Sequence, residues 1–302
     1  MVKGRLVAPE VIRAIVNKHK FRFRKSLGQN FLINQKVLEK ISEAAGMTGE
    51  DLVVEIGPGI GALTQYLAEK AGQVIAVELD RSLLPILAET LADYPGVQVV
   101  HGDALKVDLD QLVREYGGSQ WGPEGLKYKV VANLPYYITT PIVMRLLEEG
   151  FALQTMVLMV QKEVARRMVA APGTKDYGAL SLAIQYYTQP EIVTYVPPGS
   201  FMPPPAVDSA VIKLELRCEP PVELVSVETF FRTIKGAFGQ RRKTLLNALS
   251  NAKLGLSKEE LADLLNRLGI DPNRRGETLS LQEFAALANL VEGHKLQREE
   301  YL

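Results

Sequence analysis

The segment Asp51–Thr64, DLVVEIGPGIGALT, has the residue types and spacing of a turn that receives a nucleotide-like ligand. Its first residues, rich in Leu, Val and Ile, predict a strand buried on both faces, and the residues from Ala62 onward predict a helix. Between them lie Gly57, Gly59 and Gly61, where the missing Cβ lets the backbone approach a bound molecule. The third glycine comes one position earlier than in the dinucleotide pattern G-x-G-x-x-G. Because glycine turns also close ordinary strand–helix corners, the loop alone does not decide the function.

Acidic residues follow two further predicted strands. Gln73–Leu79, QVIAVEL, contains Glu78 at its end, roughly twenty residues after the glycine loop, where a carboxylate accepts hydrogen bonds from two ribose hydroxyls. Val97–Val100 is the next predicted strand, and Asp103 follows it. A single carboxylate at a strand end is more often a helix cap. Several polar strand ends in succession favour a ligand site at the carboxyl edge of an open α/β sheet.

The remaining apolar runs of the sequence predict the strands and helices that position these residues. Tyr128–Ala132 is a buried strand that leads into Asn133-Leu134-Pro135-Tyr136, and Thr155–Val160 is a fifth buried strand. Ile192–Val196 and Val207–Leu216 are β-branched and alternating, as in an antiparallel edge pair. The predicted fold class is therefore α/β, with a doubly wound sheet.

Two proline-containing segments interrupt this pattern. Pro197–Pro205 has five prolines and is predicted to be too stiff for a strand, so that it presents Phe201 on a preset backbone. Glu219–Pro221 marks the predicted domain boundary, because everything beyond it has helical periodicity. The sequence thus predicts a catalytic domain over residues 1–218 and a small all-α domain over residues 219–302.

The motifs taken together resemble a known family. VVEIGPGIGALT, AVELD, GDAL and NLPY are similar to the ordered motifs of S-adenosylmethionine-dependent adenine-N6 methyltransferases. With SLGQNFL, FMPPPAVDSAV and FGQRRKTLLNAL added, the chain resembles the KsgA-type small-subunit (16S) rRNA adenine N6-dimethyltransferase family over roughly residues 21–249. The resemblance implies a Rossmann-like class I methyltransferase sheet. It also implies dimethylation of two adjacent adenosines in a hairpin loop near the 3′ end of small-subunit rRNA, with a role in small-subunit biogenesis.

The residues of NLPY suit a reaction in which an exocyclic amino group of a base attacks a methyl group. An adenine N6 lone pair is delocalised into the ring, so acceptors aimed at the two amino hydrogens favour its attack on a methyl group. Asn133 supplies a side-chain oxygen, and Pro135 has no N–H to compete. Tyr136 offers a flat face for the base. By resemblance, Asn133 and the Leu134–Tyr136 backbone hold the amino group and Phe201 lies on the other side of the base, although Phe201 could equally be core packing.

The resemblance also implies the binding site of the methyl donor, S-adenosylmethionine, and no metal. Its predicted contacts are Asn30, Leu32, Gly57, Gly59, Glu78, Asp103 and Asn133. Glu55 is a further candidate near the methionine amine, or simply a charge at a strand end. The three histidines are scattered and Cys218 is the only cysteine, so no metal-ligand spacing is present.

Overall composition predicts a cytoplasmic protein, with 23% charged and 47% hydrophobic residues and no run of the ~18 apolar residues that span a membrane. The formal net charge of zero counts mildly against nucleic-acid binding. Local basic patches count in its favour, since KHKFRFRK and QRRK concentrate positive charge beside the predicted core. The residues predicted to bind RNA are Arg22, Arg24, Lys25, Arg241, Arg242 and Lys243.

Several alternatives stay open on the sequence alone. A large-subunit (23S) rRNA adenine methyltransferase shares the core motifs, and an RNA-binding assembly factor with a dispensable activity could carry the same fold. The intact glycine loop with Glu78, Asp103 and Asn133 argues against an idle pocket. The expected partners are small-subunit rRNA and the pre-30S particle, with the chain acting as a monomer and no membrane involved.

Overall fold

The computed structural model describes residues 6–24, 27–118 and 127–299. Contacts divide the chain into two units. The first runs as far as Ala165 and resumes from Gln189 to Leu216, and the second comprises Arg166–Thr188 and the chain from Arg217 onward. Among the described residues, no helix combines the length and the apolar character that crossing a membrane requires.

The first unit is organised on a seven-stranded sheet with strand order β4-β3-β2-β5-β6-β9-β7. Adjacent strands from β4 to β6 pair in parallel, whereas β9 runs antiparallel to β6. A separate antiparallel pair joins β1 to β8. The strands are β1 Phe31–Leu32, β2 Leu52–Ile56, β3 Gln73–Glu78, β4 Val97–His101, β5 Tyr128–Asn133, β6 Leu153–Gln161, β7 Thr188–Val196, β8 Phe201–Met202 and β9 Ser209–Leu216. This order confirms the predicted α/β class.

Helices alternate with the parallel strands and then follow one another without strands between them. They are α1 Pro9–Lys18, α2 Gln35–Ala44, α3 Ala62–Ala68, α4 Leu84–Thr90, α5 Leu109–Tyr116, α6 Thr139–Glu148, α7 Lys162–Met168, α8 Ala179–Tyr187, α9 Val227–Gly239, α10 Leu245–Ser250, α11 Lys258–Arg267 and α12 Leu281–Glu299. Short 3-10 turns lie at Arg81–Leu83, Tyr136–Ile138, Pro198–Ser200 and Gly276–Thr278.

The central strand β2 explains why the sheet forms where it does. All five of its residues are buried, as the run of apolar side chains predicts for a strand covered on both faces. Val53 belongs to an apolar cluster that includes Leu38 of α2 and Leu67 of α3, so these helices cover one face. Glu55, in the same strand, is the exception among the apolar residues.

One prediction about the first unit is wrong. Pro197–Pro205 contains a strand, because Phe201 and Met202 are not prolines and pair with Leu32 and Phe31. The pairing attaches this segment to the chain that precedes α2, and Ile33 N also donates to the Ser200 carbonyl at 2.9 Å.

The second unit is a helical unit with its own core. Its apolar cluster contains Phe230 of α9, Leu249 of α10, Leu264 of α11 and Phe284 of α12. Ser257 caps α11, since its hydroxyl accepts from Glu260 N at 3.1 Å while the Glu260 carboxylate accepts from Ser257 N at 2.6 Å. The start of α12 uses the same reciprocal arrangement, in which Ser280 and Glu283 are the partners.

The predicted single division between residues 218 and 219 needs a correction, because residues 166–188 group with the C-terminal helices. The reason is packing: the Tyr186 ring lies 5.4 Å from that of Phe230, and the Tyr177 hydroxyl donates to the Leu279 carbonyl at 2.9 Å. Tyr177 is only 1% exposed. The helical core is therefore completed by side chains that precede β9 in the sequence.

Candidate active site

A cavity opens at the carboxyl ends of β2, β3, β4 and β5, where the sequence predicted a ligand site. Its empty volume, including the open mouth, is about 1070 Å³. The predicted site residues that line it are Asn30, Leu32, Gly57, Gly59, Glu78, Asp103, Asn133, Leu134, Pro135 and Tyr136. All of them belong to the first unit. The elements thus bring together both predicted halves of the site, the donor-binding loop and the NLPY turn.

The glycine loop is built on left-handed backbone. Gly57 and Gly59 have φ values of +71° and +62°, which L-residues with a Cβ rarely adopt. A Cβ at Gly59 would come within 3.0 Å of the Phe31 ring, so close packing against the protein's own side chain also requires glycine there. A Cβ at Gly57 would meet no protein atom within 4 Å. The space beside Gly57 therefore belongs to the cavity, as backbone approach to a ligand requires.

Glu78 lies at the end of β3 and is 6% exposed. One carboxylate oxygen accepts from Gly59 N at 3.2 Å and the other from Asp80 N at 2.7 Å, which fixes the side chain under the glycine loop. Burial raises the pKa of Glu78 to about 7, although these hydrogen bonds oppose the shift. A carboxylate can accept further hydrogen bonds, so Glu78 has acceptor capacity left for a ligand's hydroxyls.

Glu55 is the second buried carboxyl beside the cavity. It is 1% exposed, and its Oε2 has no hydrogen-bond partner among the described residues. Burial raises the pKa of Glu55 to about 8, the nearby Thr64 hydroxyl lowers it, and the charge of Glu78 raises it further. Two carboxyls close enough to repel are retained in a site that is otherwise largely apolar, which is a pattern found more often in binding sites than in cores.

Asp103 lies in the turn after β4, where its carboxylate lines the cavity. One oxygen accepts from Leu105 N at 3.0 Å, and the Lys106 ammonium is 3.9 Å from the other. The first of these contacts stabilises the turn itself, but the side chain of Asp103 stays 31% exposed and can also contact a ligand.

The segment before β1 covers one side of the cavity and is held there by polar contacts. Asn30 bonds to the Gly28 carbonyl through its side chain, and its own carbonyl accepts from Asn133 Nδ2 at 3.0 Å. Gln29 donates to Asp80 at 2.8 Å, and the Arg24 guanidinium lies 3.3 Å from the same carboxylate. These contacts connect the segment to both halves of the site.

The NLPY turn presents acceptors to the cavity. Because Asn133 Nδ2 is used by the Asn30 carbonyl, Oδ1 is the free end of the side-chain amide. Leu134 is buried, and its N–H donates to the Met159 carbonyl of β6 at 3.1 Å. The Pro135 carbonyl already accepts from Ile138 N and the Thr139 hydroxyl. No described residue donates to Asn133 Oδ1 or to the Leu134 carbonyl, so these two oxygens remain for a ligand.

Tyr136 lines the cavity, and its hydroxyl lies 2.6 Å from the Ser209 hydroxyl. Phe201, in contrast, does not line the cavity. It is 3% exposed and belongs to the apolar cluster that includes Leu32, Val196 and Val211. The structure therefore assigns Phe201 to core packing, and the prediction that its ring flanks the target base is corrected on that ground.

The comparisons with known proteins agree with this geometry. The sequence profile described as ribosomal RNA adenine dimethylase matches residues 20–292. The chain belongs to that family. It is 56% identical to ribosomal RNA small subunit methyltransferase A of Alkaliphilus metalliredigens, over 95% of this chain and 98% of that protein. The protein of the same name from Pelotomaculum thermopropionicum is 53% identical over 94% of this chain and 96% of its own length.

Two solved structures of related proteins share the fold. A dimethyladenosine transferase from Plasmodium falciparum superposes with a TM-score of 0.72 and 27% identity, over 88% of this chain and 98% of that chain. The 23S rRNA methyltransferase ErmE superposes with a TM-score of 0.66 and 27% identity, over 87% of this chain and 100% of that chain. The predicted family, class I methyltransferase fold and enzyme class, an rRNA adenine dimethyltransferase, are confirmed. The names of the sequence relatives favour the small-subunit prediction over its alternatives.

The residues predicted to bind RNA differ in whether their side chains already form contacts within the protein. Arg22 is exposed, whereas the Arg24 guanidinium is paired with Asp80, and Lys25 lies outside the described residues. Arg241 donates to the Lys175 and Tyr177 carbonyls and to Glu277. Arg242 and Lys243 are exposed in the turn between α9 and α10. The helix α10 starts only at Leu245, so this basic run precedes it.

Two candidate functional residues were not predicted from the sequence. Tyr137 is 57% exposed at the cavity, and the NLPYY sequence could have suggested it because a second aromatic ring follows the first. Ser209 is the other, and no local pattern identifies it because its partner Tyr136 is far away in the chain. Over the residues that the structure describes, no group of three or more His, Cys, Asp or Glu side chains could hold a metal ion.

Proposed function

We propose that the chain transfers methyl groups from S-adenosylmethionine to N6 of two adjacent adenosines in a hairpin loop near the 3′ end of small-subunit rRNA. The product is N6,N6-dimethyladenosine, and the reaction serves biogenesis of the small ribosomal subunit in the cytoplasm. The chain acts as a monomer on rRNA within the pre-30S particle and uses no metal. The names of relatives about half identical to this chain support the choice of small-subunit rRNA.

The observation that carries the proposal is the position of Asn133 beside the donor-binding loop. Its amide is oriented by the Asn30 carbonyl, so that Oδ1 rather than Nδ2 is available in the cavity. Together with the Leu134 carbonyl, this supplies two acceptors for the two hydrogens of an amino group. Both acceptors lie in one cavity with Gly57 and Glu78, where a nucleoside-type donor fits.

The residues of the cavity fit S-adenosylmethionine in three places. The left-handed Gly57 leaves open space where a side chain would otherwise stand. Glu78 can accept from the ribose hydroxyls, and Asp103 can accept from the adenine amino group. The unpaired, buried Oε2 of Glu55 is suited to the donor's ammonium group, because a nearby positive charge offsets the cost of burying a carboxylate. Asn30 and Leu32 complete the lining on the side of the N-terminal segment.

The bound donor supplies a methyl group on a positively charged sulfur. The chain's contribution is to position and orient the nucleophile. Asn133 Oδ1 and the Leu134 carbonyl draw on the two amino hydrogens, which turns the N6 lone pair out of the ring plane and toward the methyl carbon. Tyr136 holds the base from one face. A base that is paired inside an RNA duplex cannot bring its amino group into this cavity. The target adenosine is therefore taken from a loop or is extruded from its helix.

RNA affinity is proposed to come from Arg22, Arg24 and Lys25 on one segment and from Arg241, Arg242 and Lys243 on another. Phosphate contacts add sequence-independent, salt-dependent affinity, which a chain of zero formal net charge can supply only through local patches. The C-terminal helical domain would then hold RNA that surrounds the target.

The test is to incubate the protein with radiolabelled S-adenosylmethionine and either small-subunit or large-subunit particles, and to map modified adenosines by mass spectrometry. The proposal expects dimethyladenosine at two adjacent positions near the 3′ end of the small-subunit rRNA. Label that appears only in large-subunit rRNA would favour the 23S alternative, and binding to small-subunit particles without any label would favour the assembly-factor alternative.

A further inference from the structure

The hydroxyl of Tyr136 forms a hydrogen bond with the hydroxyl of Ser209, the first residue of β9. The two hydroxyl oxygens are 2.6 Å apart, and Ser209 is completely buried. Burial also raises the pKa of the Tyr136 hydroxyl above its ordinary value, so this group keeps its proton. The remote Ser209 therefore fixes the hydroxyl end of Tyr136, a residue that lines the cavity.

The support comes from the strand pair β6–β9 of the sheet. Ser209 pairs with Gln161 at the end of β6, while Leu134 donates to the carbonyl of Met159 in the same strand. The NLPY turn is thus attached to the end of β6 at two points, directly through its backbone and indirectly through the hydroxyl of Tyr136. Two attachments fix the direction of the ring as well as its position.

We propose that Ser209 is a positioning residue that orients Tyr136 against the target base, and that the reaction depends on it more in the second methyl transfer than in the first. This inference rests on the proposed function, since it concerns the two successive transfers to one N6 atom.

The chemistry of the two transfers gives the reason. In each, the N6 lone pair forms the new N–C bond, the C–S bond breaks with its electron pair going to sulfur, and one N–H proton is lost to solvent. Adenosine offers two N–H groups to Asn133 Oδ1 and the Leu134 carbonyl, but N6-methyladenosine offers only one. With one hydrogen bond fewer, the orientation of the base depends more on stacking against Tyr136. A loosened ring should therefore slow the second transfer more than the first.

The experiment compares Ser209→Ala, Tyr136→Phe and the double variant in small-subunit particles under single-turnover conditions. Ser200→Ala is the matched control, because Ser200 is also buried in the first unit and accepts one side-chain hydrogen bond, from Asn34, away from the cavity. The ratio of N6-methyladenosine to N6,N6-dimethyladenosine is followed by mass spectrometry, with donor affinity and Tm measured in parallel. A purely structural role would lower Tm without changing this ratio.

We expect Ser209→Ala to slow the second transfer at least fivefold more than the first, so that the monomethyl product accumulates. The double variant should be no worse than Tyr136→Phe, because both changes remove the same hydrogen bond. Ser200→Ala should keep the wild-type ratio.

An unchanged product ratio in Ser209→Ala, or effects of the two single changes that multiply in the double variant, would overturn the inference. If Ser209→Ala does not fold, Tyr136→Phe removes the same hydrogen bond at the half-buried tyrosine. The ratio of monomethyl to dimethyl product in Tyr136→Phe then decides the question alone. Wild-type protein that yields no dimethyladenosine would refute the proposed function itself and the inference with it. A dimethylating wild type whose Ser209 variant behaves identically would refute only the inference.

Discussion

Binding of the methyl donor should depend on pH through Glu78. The pKa of this carboxyl is about 7 because the side chain is buried. In the proposed complex the ribose hydroxyls donate to the ionised form of Glu78, so protonation of Glu78 would compete with donor binding. The apparent Kd scales as 1 + 10^(pKa − pH), which makes donor affinity about tenfold weaker at pH 6 than at pH 8.

The variant Glu78→Gln should lose this dependence and bind the donor more weakly. A hydrogen bond to a charged acceptor is worth about 1 kcal/mol more than one to a neutral acceptor, so two ribose hydroxyls lose about 2 kcal/mol, or about thirtyfold in Kd at pH 8. The amide nitrogen would also face one of the backbone N–H groups of Gly59 or Asp80, so a lower Tm is expected as well.

Isothermal titration calorimetry from pH 6 to pH 9 measures both effects. The donor's own amino group titrates in the same range, but it does so with every variant and cancels in the ratio of wild type to Glu78→Gln. Glu55→Gln serves as the control, since it should retain the pH dependence: with a pKa of about 8, Glu55 is mostly uncharged where Glu78 titrates, so the change removes little charge beside Glu78. A ratio of wild-type to Glu78→Gln affinity that stays constant between pH 6 and pH 8 would show that Glu78 does not control donor binding.

Four further predictions concern the site and the RNA-binding surface. Asn133→Ala should abolish methyl transfer to small-subunit particles while changing donor Kd by less than about fivefold, because its main role is toward the amino group. Glu55→Gln should gain stability over wild type by about 1.4 kcal/mol per pH unit between pH 5 and pH 8 in chemical denaturation. In wild type the pKa of Glu55 is about 8 in the folded state against the ordinary 4.5, so unfolding releases this proton and a rising pH favours the unfolded state. Phe201→Leu should lower stability by about 1 kcal/mol and leave kcat within about twofold. Arg242→Ala should reduce the slope of log affinity against log salt by about 1 without lowering Tm, whereas Arg241→Ala should lower Tm because Arg241 bonds within the protein.

Each of these has a contrary outcome. Undiminished methylation by Asn133→Ala would remove its assigned role. A stability difference between Glu55→Gln and wild type that does not change with pH would mean that the buried carboxyl titrates normally. A tenfold fall in kcat for Phe201→Leu at unchanged donor affinity would restore the base-flanking role, and an unchanged salt slope in Arg242→Ala would place the RNA elsewhere.

Much of the sheet could be predicted from sequence because its strands are buried on both faces. Continuous apolar runs such as those of β2 and β5 end in polar residues at the cavity, and both the strands and the order of the site residues follow from that pattern. The pairing of Phe201 and Met202 with β1 could not be predicted. A two-residue strand has no periodicity, and its partner lies far away in the chain.

The unit to which a helix belongs also depends on distant packing. The apolar residues of α8 predict a buried helix equally well in either unit, and only contacts such as that between Tyr186 and Phe230 decide. The sequence predicted Glu78 and Asn133, both of which line the cavity, but not Ser209, since a serine at the start of a strand has no distinguishing signal. The raised pKa values of Glu55 and Glu78 likewise come from burial, which no local sequence pattern measures.

We propose that the methyl donor and the nucleophile meet at the NLPY turn. A crystal structure of the chain with S-adenosylmethionine bound tests it most directly. We expect the ribose hydroxyls to contact Glu78 and the methyl carbon to face Asn133 Oδ1 and the Tyr136 ring. A methyl carbon directed away from both residues would contradict it.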